Sequence, residues 1–342
     1  MKILITGVNG FIGTHLTERI LSDTDWEIRG FDLYSDNISA YSGNPRLLFR
    51  QGDVFKEQGW IEEQVRECDV VLPLAGIAKP AYYIKKPVWT FELDFEQNLK
   101  VVRMCAKHGV RIIFPSTSEI YGLSADEELT EDESRLITGS IVKTRWIYSC
   151  SKQMMDRIIF AYGQEEGLRF SIFRPFNWVG PRLDSFEDAR KRVARSVTQI
   201  IYDILNRGVV SLVNGGSQKR SFTWIGDGVD GLMAIIANKE NKADGQIFNI
   251  GNPANSCSIR ELAEMLIAEM KLVPIFKERA KRAELSDVQA ANYYGDTYDD
   301  MQNRVPSVRK IGALLGWRPK TGMAETLRET VSWYAKKELE RS

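Results

Sequence analysis

Short apolar segments rich in β-branched residues alternate with helix-length segments along the chain. The apolar segments are KILITG, EIRGFD, RLLFRQGD, DVVLPLAG, RIIFPSTS, RFSIFRP and, much later, QIFNIGN. Between them lie helical segments such as THLTERILSD, VWTFELDFEQNLKVVRMCAKHG and SKQMMDRIIFAYGQEEG, of which the last two end in glycine, as helix C-termini commonly do. Strands that are apolar on both faces and joined by helices predict a mainly parallel sheet. We therefore expect a doubly wound α/β fold.

The pattern changes after residue 176. NWVGPRLDS is typical of a loop, FEDARKRVARSVTQIIYDILNRG predicts one charged helix, and SIRELAEMLIAEM and ETLRETVSWYAKKELERS predict further helices. We predict that residues 1–176 form the sheet domain and that residues 177–342 form a smaller α-rich lobe. A strand near 246–251 is expected to return from this lobe to the sheet.

Composition and charge exclude several classes of protein. The 342 residues contain 46 Lys and Arg and 46 Asp and Glu, so no excess charge favours nucleic acid or an anionic membrane. No apolar run approaches the ~20 residues that a membrane helix needs, and MKILITGVNGFIG lacks the features of a secretion signal. The four cysteines are scattered, and neither His15 nor His108 fits a metal-ligand pattern. We expect a cytoplasmic protein with reduced thiols and no metal site.

A glycine-rich loop, TGVNGFIG, follows the first predicted strand and opens the first predicted helix. Gly7 permits the tight turn, Gly10 lets a pyrophosphate approach the backbone, and Gly13 lets helix and strand pack closely. The helix N-terminus offers N–H groups and partial positive charge to that anion. Asp32 ends the second predicted strand, where a carboxylate accepts hydrogen bonds from a ribose 2′-hydroxyl and repels a 2′-phosphate. The pattern predicts a Rossmann-type domain that binds NAD in preference to NADP.

Tyr148 and Lys152 in YSCSK stand four residues apart at the start of a helical segment, so both project from one face. A tyrosine hydroxyl with a pKa near ~10 is a poor base at neutral pH. An ammonium group one turn away and a positively charged nicotinamide favour the phenolate and lower that pKa. In isolation this spacing is more typical of a surface pair, but the glycine loop predicts a ligand crevice nearby. The predicted NAD contacts are Gly7, Asn9, Gly10, Phe11, Ile12, Gly13, Asp32, Asp53, Val54, Leu74, Ala75, Tyr148 and Lys152.

The strand RIIF runs into STSEIYG, where polar groups replace the apolar ones. In a doubly wound sheet the ligand crevice lies outside the carboxyl ends of the strands. Thr117, Ser118 and Glu119 stand at such an end, and the helix that begins with YSCSK follows them in the chain. We therefore predict that these three residues converge with Tyr148 and Lys152 beside the nicotinamide.

Together these motifs resemble the extended short-chain dehydrogenase/reductase family, in its nucleotide-sugar-modifying class. TGxxGxxG, the aspartate after the second strand, STSExYG and YxxxK carry the resemblance, which covers essentially all of the chain. FELDFEQNL, RIIFPSTSEIYG, RWIYSCSKQ, FRPFNWVGPRLD, GGSQKRSFT and FNIGNP are similar to the UDP-glucuronate decarboxylase domain of the bifunctional enzyme of bacterial polymyxin resistance. Because the glycine loop begins near Met1, we expect the formyltransferase domain of that enzyme to be absent.

The resemblance implies that UDP-glucuronate is oxidised at C4 by NAD and then loses carbon dioxide, giving UDP-4-keto-pentose. Tyr148 would remove the C4 hydroxyl proton, and Thr117 or Ser118 would hydrogen-bond the same oxygen. Glu119 and Arg304 are both candidates for protonating C5, and the sequence leaves this choice open. The implied substrate contacts are Tyr83, Arg145, Asn177, Arg182, Lys219, Arg220 and Tyr298. The family also implies a homodimer formed through two exposed helices.

The pair Ser118-Glu119 bears on the choice of reaction. Within the family, sugar 4-epimerases generally carry a small residue before IYG, whereas 4,6-dehydratases carry Asp-Glu and UDP-glucuronate decarboxylases carry Ser-Glu. The alternatives to decarboxylation are a UDP-xylose synthase, a UDP-apiose/xylose synthase, a nucleotide-sugar 4-epimerase and a 4,6-dehydratase. A non-catalytic NAD-binding protein is disfavoured, since NAD binding alone does not need Glu119.

Overall fold

The computed structural model describes residues 1–295 and 299–340. Tyr298, one of the implied substrate contacts, lies outside the described residues. The strands are β1 (Lys2–Thr6), β2 (Glu27–Asp32), β3 (Leu47–Gln51), β4 (Val70–Pro73), β5 (Arg111–Pro115), β6 (Phe170–Pro175), β7 (Trp178–Val179), β8 (Val209–Val213), β9 (Lys219–Ser221), β10 (Thr223–Trp224), β11 (Gln246–Ile250), β12 (Ser256–Ser258), β13 (Glu284–Val288) and β14 (Asn303–Arg304).

The α-helices follow the same chain order, and a π-helical segment, Glu92–Gln97, joins the fourth to the fifth. They are α1 (Phe11–Asp23), α2 (Gln58–Glu67), α3 (Pro80–Lys85), α4 (Pro87–Phe91), α5 (Asn98–His108), α6 (Trp146–Glu166), α7 (Phe186–Arg190), α8 (Ser196–Asn206), α9 (Ile225–Ala237), α10 (Ile259–Leu272), α11 (Lys277–Lys281), α12 (Ala290–Tyr294), α13 (Arg309–Leu315) and α14 (Met323–Leu339).

The central sheet is parallel throughout its described strands, in the order β11-β6-β5-β4-β1-β2-β3. The strand order reverses between β1 and β4, which opens a crevice at their carboxyl ends. The fully buried positions of β1, β4, β5 and β6 are mostly aliphatic or aromatic, as strands covered on both faces require. The predicted doubly wound α/β fold is confirmed.

Helices cover both faces of the sheet. On one face α1 and α9 pack with Leu16, Ile20 and Leu232 against the strands. On the other face α2, α5 and α6 contribute Ile61, Val101 and Met155. A further core joins α8, α10 and α14 in the second half of the chain. The helices α5 and α6 end at glycines with a left-handed backbone, as their sequences predict.

One helix predicted for the second half of the chain is not continuous in the structure. The predicted single helix FEDARKRVARSVTQIIYDILNRG is two helices, α7 and α8. Arg192 between them has φ 56°, a left-handed conformation that a helix does not continue through. Arg195 then pairs with Asp184, Nη2 to Oδ1 at 3.0 Å, which fixes the chain before α8 begins. Within the described residues, no helix has the length and apolar character needed to span a membrane.

Candidate active site

The glycine loop between β1 and α1 is closely packed. Gly7 has φ 77°, and a Cβ atom there would lie 2.6 Å from the Ala75 nitrogen. A Cβ atom on Gly13 would lie 2.4 Å from the Gly7 carbonyl oxygen. Because Gly10 is the N-cap of α1, no side chain of its own covers the first amide groups of the helix. These N–H groups remain available to an anion such as a pyrophosphate.

Asn9 and Asp32 connect the loop to the segment that follows β2. The Asp32 carboxylate accepts a hydrogen bond from the backbone N–H of Asn9 at 3.0 Å. Asn9 Oδ1 accepts one from the backbone N–H of Asn37 at 2.8 Å. Burial raises the pKa of Asp32, while backbone N–H groups of Tyr34 and Asn9 oppose that change. The uncapped helix, the glycines and this carboxylate fit the pyrophosphate and the adenosine ribose of NAD.

The other predicted NAD contacts lie at neighbouring strand ends. Phe11 and Ile12 line the main cavity, and Leu74 and Ala75 follow β4 against Gly7. Asp53 follows β3, and its Oδ1 accepts a hydrogen bond from the Phe55 amide at 3.0 Å. Val54, beside it, packs against the core formed by α2, α5 and α6.

Tyr148 lies in the first turn of α6 and is buried between aromatic and polar neighbours. Its ring stacks on that of Tyr83, with centroids 4.2 Å apart and an angle of 7° between the ring planes. The polar side chains of Thr117 and Tyr83 lie beside its hydroxyl and act to lower its pKa. Burial raises the pKa of Tyr148, and the carboxylates of Asp94 and Glu119 raise it further. The protein's own groups therefore hold this pKa above its ordinary value, whereas the sequence led us to expect a lowered one.

Lys152 lies one turn after Tyr148, as predicted from YSCSK, and it has a partner that the sequence analysis missed. Its Nζ lies 3.1 Å from Asp94 Oδ1 and donates to the Pro115 carbonyl oxygen, also at 3.1 Å. Asp94 stands in the π-helical segment and is fully buried. A signal was present, since Asp94 is a charged residue on the same helical face as Asn98, Val101 and Cys105, which are buried.

The end of β5 presents the polar residues predicted there. Thr117 begins a short 3₁₀ turn, Ser118–Tyr121, and its Oγ1 accepts a hydrogen bond from the Glu119 amide at 3.2 Å. Tyr121, the last residue of the turn, is fully buried and donates to Asn249 Oδ1 at 2.8 Å. This anchoring directs Thr117, Ser118 and Glu119 towards the cavity, which all three line.

Three buried arginines, which we call the arginine cluster, lie near the end of β5, and Glu119 pairs with two of them. The cluster is formed by Arg145, Arg220 and Arg304. Arg145 Nη2 lies 2.8 Å from Glu119 Oε2, and Arg304 Nη1 lies 3.5 Å from Glu119 Oε1. Arg304 Nη1 also lies 3.4 Å from Ser118 Oγ.

Asp300 joins the three arginines together. Its carboxylate lies 3.2 Å from Arg145, 2.6 Å from Arg220 and 3.7 Å from Arg304. The sequence analysis did not single out Asp300, because an acidic residue in a polar segment carries no local signal. Burial lowers the pKa of Arg304, the neighbouring Arg220 lowers it further, and Glu119 opposes both.

Of the remaining implied substrate contacts, two line the cavity and two do not. Tyr83 and Asn177 line the cavity, and Asn177 Nδ2 donates to the Ser221 carbonyl oxygen at 3.1 Å. Arg182 instead pairs with Glu18 of α1, Nη2 to Oε1 at 2.7 Å. Lys219 is exposed on β9, next to the buried Arg220.

The cavity has a volume of about 300 Å³ and reaches from the glycine loop into the second half of the chain. Its lining includes Phe11, Ile12 and Tyr148 from the sheet domain and Arg192, Gln199 and Ser211 from the second half of the chain. The arginine cluster lies along its wall. An anionic molecule that reaches Tyr148 would therefore match the arginines of its lining.

Comparisons with known proteins agree with this geometry. The model of the NAD dependent epimerase/dehydratase family matches residues 3–251, from the glycine loop to the last strand of the central sheet. The chain belongs to this family. It is therefore an NAD-dependent enzyme, and the predicted resemblance, activity class and cofactor are confirmed.

Solved structures of family members superpose over nearly the whole chain. The PbgP3 protein from Burkholderia pseudomallei is 45% identical, with a TM-score of 0.89, over 99% of this chain and 97% of that chain. The UDP-glucuronic acid 4-epimerase from Bacillus cereus, in complex with UDP-glucuronic acid and NAD, is 22% identical, with a TM-score of 0.82, over 98% of this chain and 100% of that chain. DesIV, a dTDP-glucose 4,6-dehydratase from Streptomyces venezuelae with NAD and TYD bound, is 23% identical, with a TM-score of 0.83, over 99% of this chain and 98% of that chain. The last two show the shared fold alone.

Proposed function

We propose that the enzyme oxidises UDP-glucuronate at C4 and then releases the sugar carboxylate as carbon dioxide, giving UDP-4-keto-pentose. The observation that carries this proposal is the arginine cluster beside Tyr148. Arginine binds carboxylates and phosphates through paired hydrogen bonds, and a UDP-uronate carries both groups. The 45% identity to PbgP3 is consistent with a shared substrate class.

The residues around the strand end suit proton removal at C4. Tyr148 takes the proton of the C4 hydroxyl, and Thr117, which lines the same cavity, orients that hydroxyl. When bound, NAD accepts the hydride from C4. Lys152 places a positive charge one turn from the phenol and stabilises its ionised form.

Oxidation has to come first, because the carboxylate alone offers no site for the electrons that carbon dioxide leaves behind. Once C4 is a ketone, the C5–C6 bond breaks and its electron pair forms an enolate between C4 and C5. In this proposal the hydroxyl groups of Thr117 and Tyr148 donate hydrogen bonds to the enolate oxygen. Donors held in place before the charge develops are the larger catalytic effect to expect.

The geometry favours Arg304 over Glu119 as the group that returns a proton to C5. Glu119 is ion-paired with both Arg145 and Arg304, so its two carboxylate oxygens are directed at guanidinium groups of the cluster. Arg304 carries N–H groups, lines the cavity and reaches the strand end, where its Nη1 lies 3.4 Å from Ser118 Oγ. In this assignment Glu119 orients Arg304 and Arg145.

The decisive experiment is incubation of the protein with UDP-glucuronate and NAD, followed by assay of carbon dioxide, reduced cofactor and sugar nucleotide by mass spectrometry. We expect carbon dioxide, reduced cofactor and UDP-4-keto-pentose in equal amounts. UDP-xylose without net reduction would assign a UDP-xylose synthase instead. A C4 epimer formed without carbon dioxide would contradict the proposal.

The same proposal includes a homodimer in the cytoplasm. Apolar side chains are exposed on adjacent helices, with Val88 and Trp89 on α4 and Met154 and Phe160 on α6. A second copy of the chain that packed on these helices would cover them. Light scattering coupled to size-exclusion chromatography should give twice the mass of one chain, and a monomer at working concentration would contradict this part.

A further inference from the structure

A buried ion pair stands behind the active tyrosine. Lys152 Nζ and Asp94 Oδ1 are 3.1 Å apart, and both side chains are almost completely excluded from solvent. Asp94 Oδ2 accepts a hydrogen bond from the Ile77 amide at 3.2 Å, in the loop that follows β4. The Lys152 ammonium also donates to the Pro115 carbonyl oxygen at the end of β5. One carboxylate thus connects α6 to the loop after β4 and holds the ammonium group in place.

The surrounding backbone is shaped for this carboxylate. Asp94 lies in the π-helical segment between α4 and α5, a conformation that often marks functional sites. Gly76 leaves the room that the pair occupies, because a Cβ atom there would lie 2.7 Å from Asp94 Oδ1 and 3.9 Å from Lys152 Nζ. The segment, the glycine and the lysine come from three separate parts of the chain.

The charge of Asp94 reaches Tyr148 as well as Lys152. Lys152 lies on the same helix as Tyr148, and its Nζ is 5.9 Å from the centroid of the tyrosine ring. A negative charge beside this ammonium weakens its effect on the phenol, and Asp94 is among the groups that raise the pKa of Tyr148. The titratable and charged groups around Tyr148 and Lys152 are Tyr83 from α3, Asp94 from the π-helical segment, Glu119 from the strand end, and Arg145 and Asp156 at the cap and in the body of α6.

We propose that Asp94 is a positioning residue, which fixes the Lys152 ammonium beside Tyr148 and moderates its positive field at the phenol oxygen. Proton removal by Tyr148 precedes any step that separates decarboxylation from epimerisation. The inference therefore rests on the proposed function only for its turnover assay, and its main measurement needs no substrate.

The test is the titration of Tyr148 in the wild type and in Asp94→Asn. Nuclear magnetic resonance of protein labelled at tyrosine Cζ monitors the titration, and the Tyr148 signal is assigned by its loss in Tyr148→Phe. Removal of the carboxylate should lower the midpoint by about one pH unit or more, the size that a nearby charge produces in a buried site. The acid side of the pH profile of kcat/KM should move in the same direction. At the optimum, kcat should fall by about tenfold or more with KM little changed, because the ammonium is no longer held in place.

Asp244→Asn is the matched control. Asp244 pairs with the buried Arg111 at 2.8 Å, so its loss also breaks a buried ion pair, on α9's side of the sheet and away from Tyr148. This variant should lose thermal stability and keep the Tyr148 midpoint. An Asp94→Asn midpoint equal to the wild-type value, or an equal shift in Asp244→Asn, would overturn the proposal.

Asp94→Glu covers the case in which Asp94→Asn does not fold. It keeps the negative charge but lengthens the side chain, so the Tyr148 midpoint should stay close to the wild-type value while kcat falls. A wild-type kcat in Asp94→Glu would refute the positioning role. A Tyr148 midpoint that moves as far as predicted for Asp94→Asn would also refute it. If Tyr148 titrates as expected but UDP-glucuronate is not turned over, the proposed function fails and this inference stands.

Discussion

At the scale of single residues, the end of β5 is organised by charge. Glu119 and Asp300 hold the three members of the arginine cluster in fixed positions. Carboxylate–guanidinium pairs that are removed from solvent are strongly directional, so a change in one partner alters the others. The roles of Glu119 and Arg304 are therefore best separated by variants that keep size and change charge or shape.

Glu119→Gln keeps the size of the side chain and removes its charge. Arg145 and Arg304 then lose one of the two carboxylates that they share, and we expect the rate of carbon dioxide release to fall by about a hundredfold or more, in the range of a lost catalytic interaction. Carbon dioxide release and cofactor reduction should be measured in parallel. Unchanged turnover in this variant would show that Glu119 has no part in decarboxylation.

Arg304→Lys keeps the positive charge and removes the planar fork. An ammonium group cannot contact Ser118 and a carboxylate in the same way, so we expect kcat to fall by about tenfold or more. Arg309→Lys is the matched control, because Arg309 is 77% exposed and pairs with Glu128 at the surface. Steady-state kinetics with UDP-glucuronate should show a loss in the first variant and wild-type values in the second. Equal kinetics in both variants would exclude a specific role for Arg304.

At the scale of elements, we predict that the close packing of the glycine loop against α1 is required for cofactor binding. Gly13→Ala places a methyl group where the Gly7 carbonyl oxygen lies, so the loop and the helix have to separate. We expect the dissociation constant for NAD, measured by calorimetry, to rise by about tenfold or more, which is about 1.4 kcal/mol. Gly59→Ala in α2, where a Cβ atom meets nothing within 4 Å, should bind NAD as the wild type does. Equal affinities in the two variants would contradict the assignment of this loop.

Elements that depend on local sequence were predictable. The alternation of apolar strands and helices predicted the sheet, and TGVNGFIG and YSCSK were placed correctly on a loop and a helix. Asp94 was missed because its partner Lys152 lies on a different helix, and FELDFEQNL carries no pattern that separates a π-helical segment from an ordinary helix. The break before α8 was missed for a similar reason, since it depends on the contact of Arg195 with Asp184.

At the scale of the whole molecule, Glu18 joins α1 to the segment that follows β7. Burial alone would raise the pKa of Glu18, but hydrogen bonds from His15, Tyr41 and Arg182 hold it at about 2, below the ordinary 4.5. Because the folded pKa is lowered, the stabilisation is complete above about pH 4.5 and is lost as the pH falls towards 2. This link ties the glycine-loop side of the protein to its second half. The predicted boundary at residue 176, close to this segment, stays a prediction.

Glu18→Gln should consequently lower the thermal unfolding temperature at neutral pH. The difference from the wild type should shrink as the pH falls below about 4.5, because the wild-type carboxylate is then protonated as unfolding proceeds. Glu187→Gln is the control, since Glu187 is exposed and pairs only with Arg190 and Lys191 among the described contacts. Circular dichroism over a pH series gives both curves. A difference that does not depend on pH would contradict the assigned role of Glu18.

The stacked pair of Tyr83 and Tyr148 has a consequence for the rate of reaction. A tyrosine on a surface moves among several rotamers, whereas the buried ring of Tyr148 is held in one by the ring 4.2 Å away. The conformational entropy of this side chain is therefore lost when the protein folds, before any sugar arrives. No further ordering of Tyr148 is needed on the way to the transition state. In the proposed mechanism the ring stack thus contributes to turnover through a less unfavourable entropy of activation.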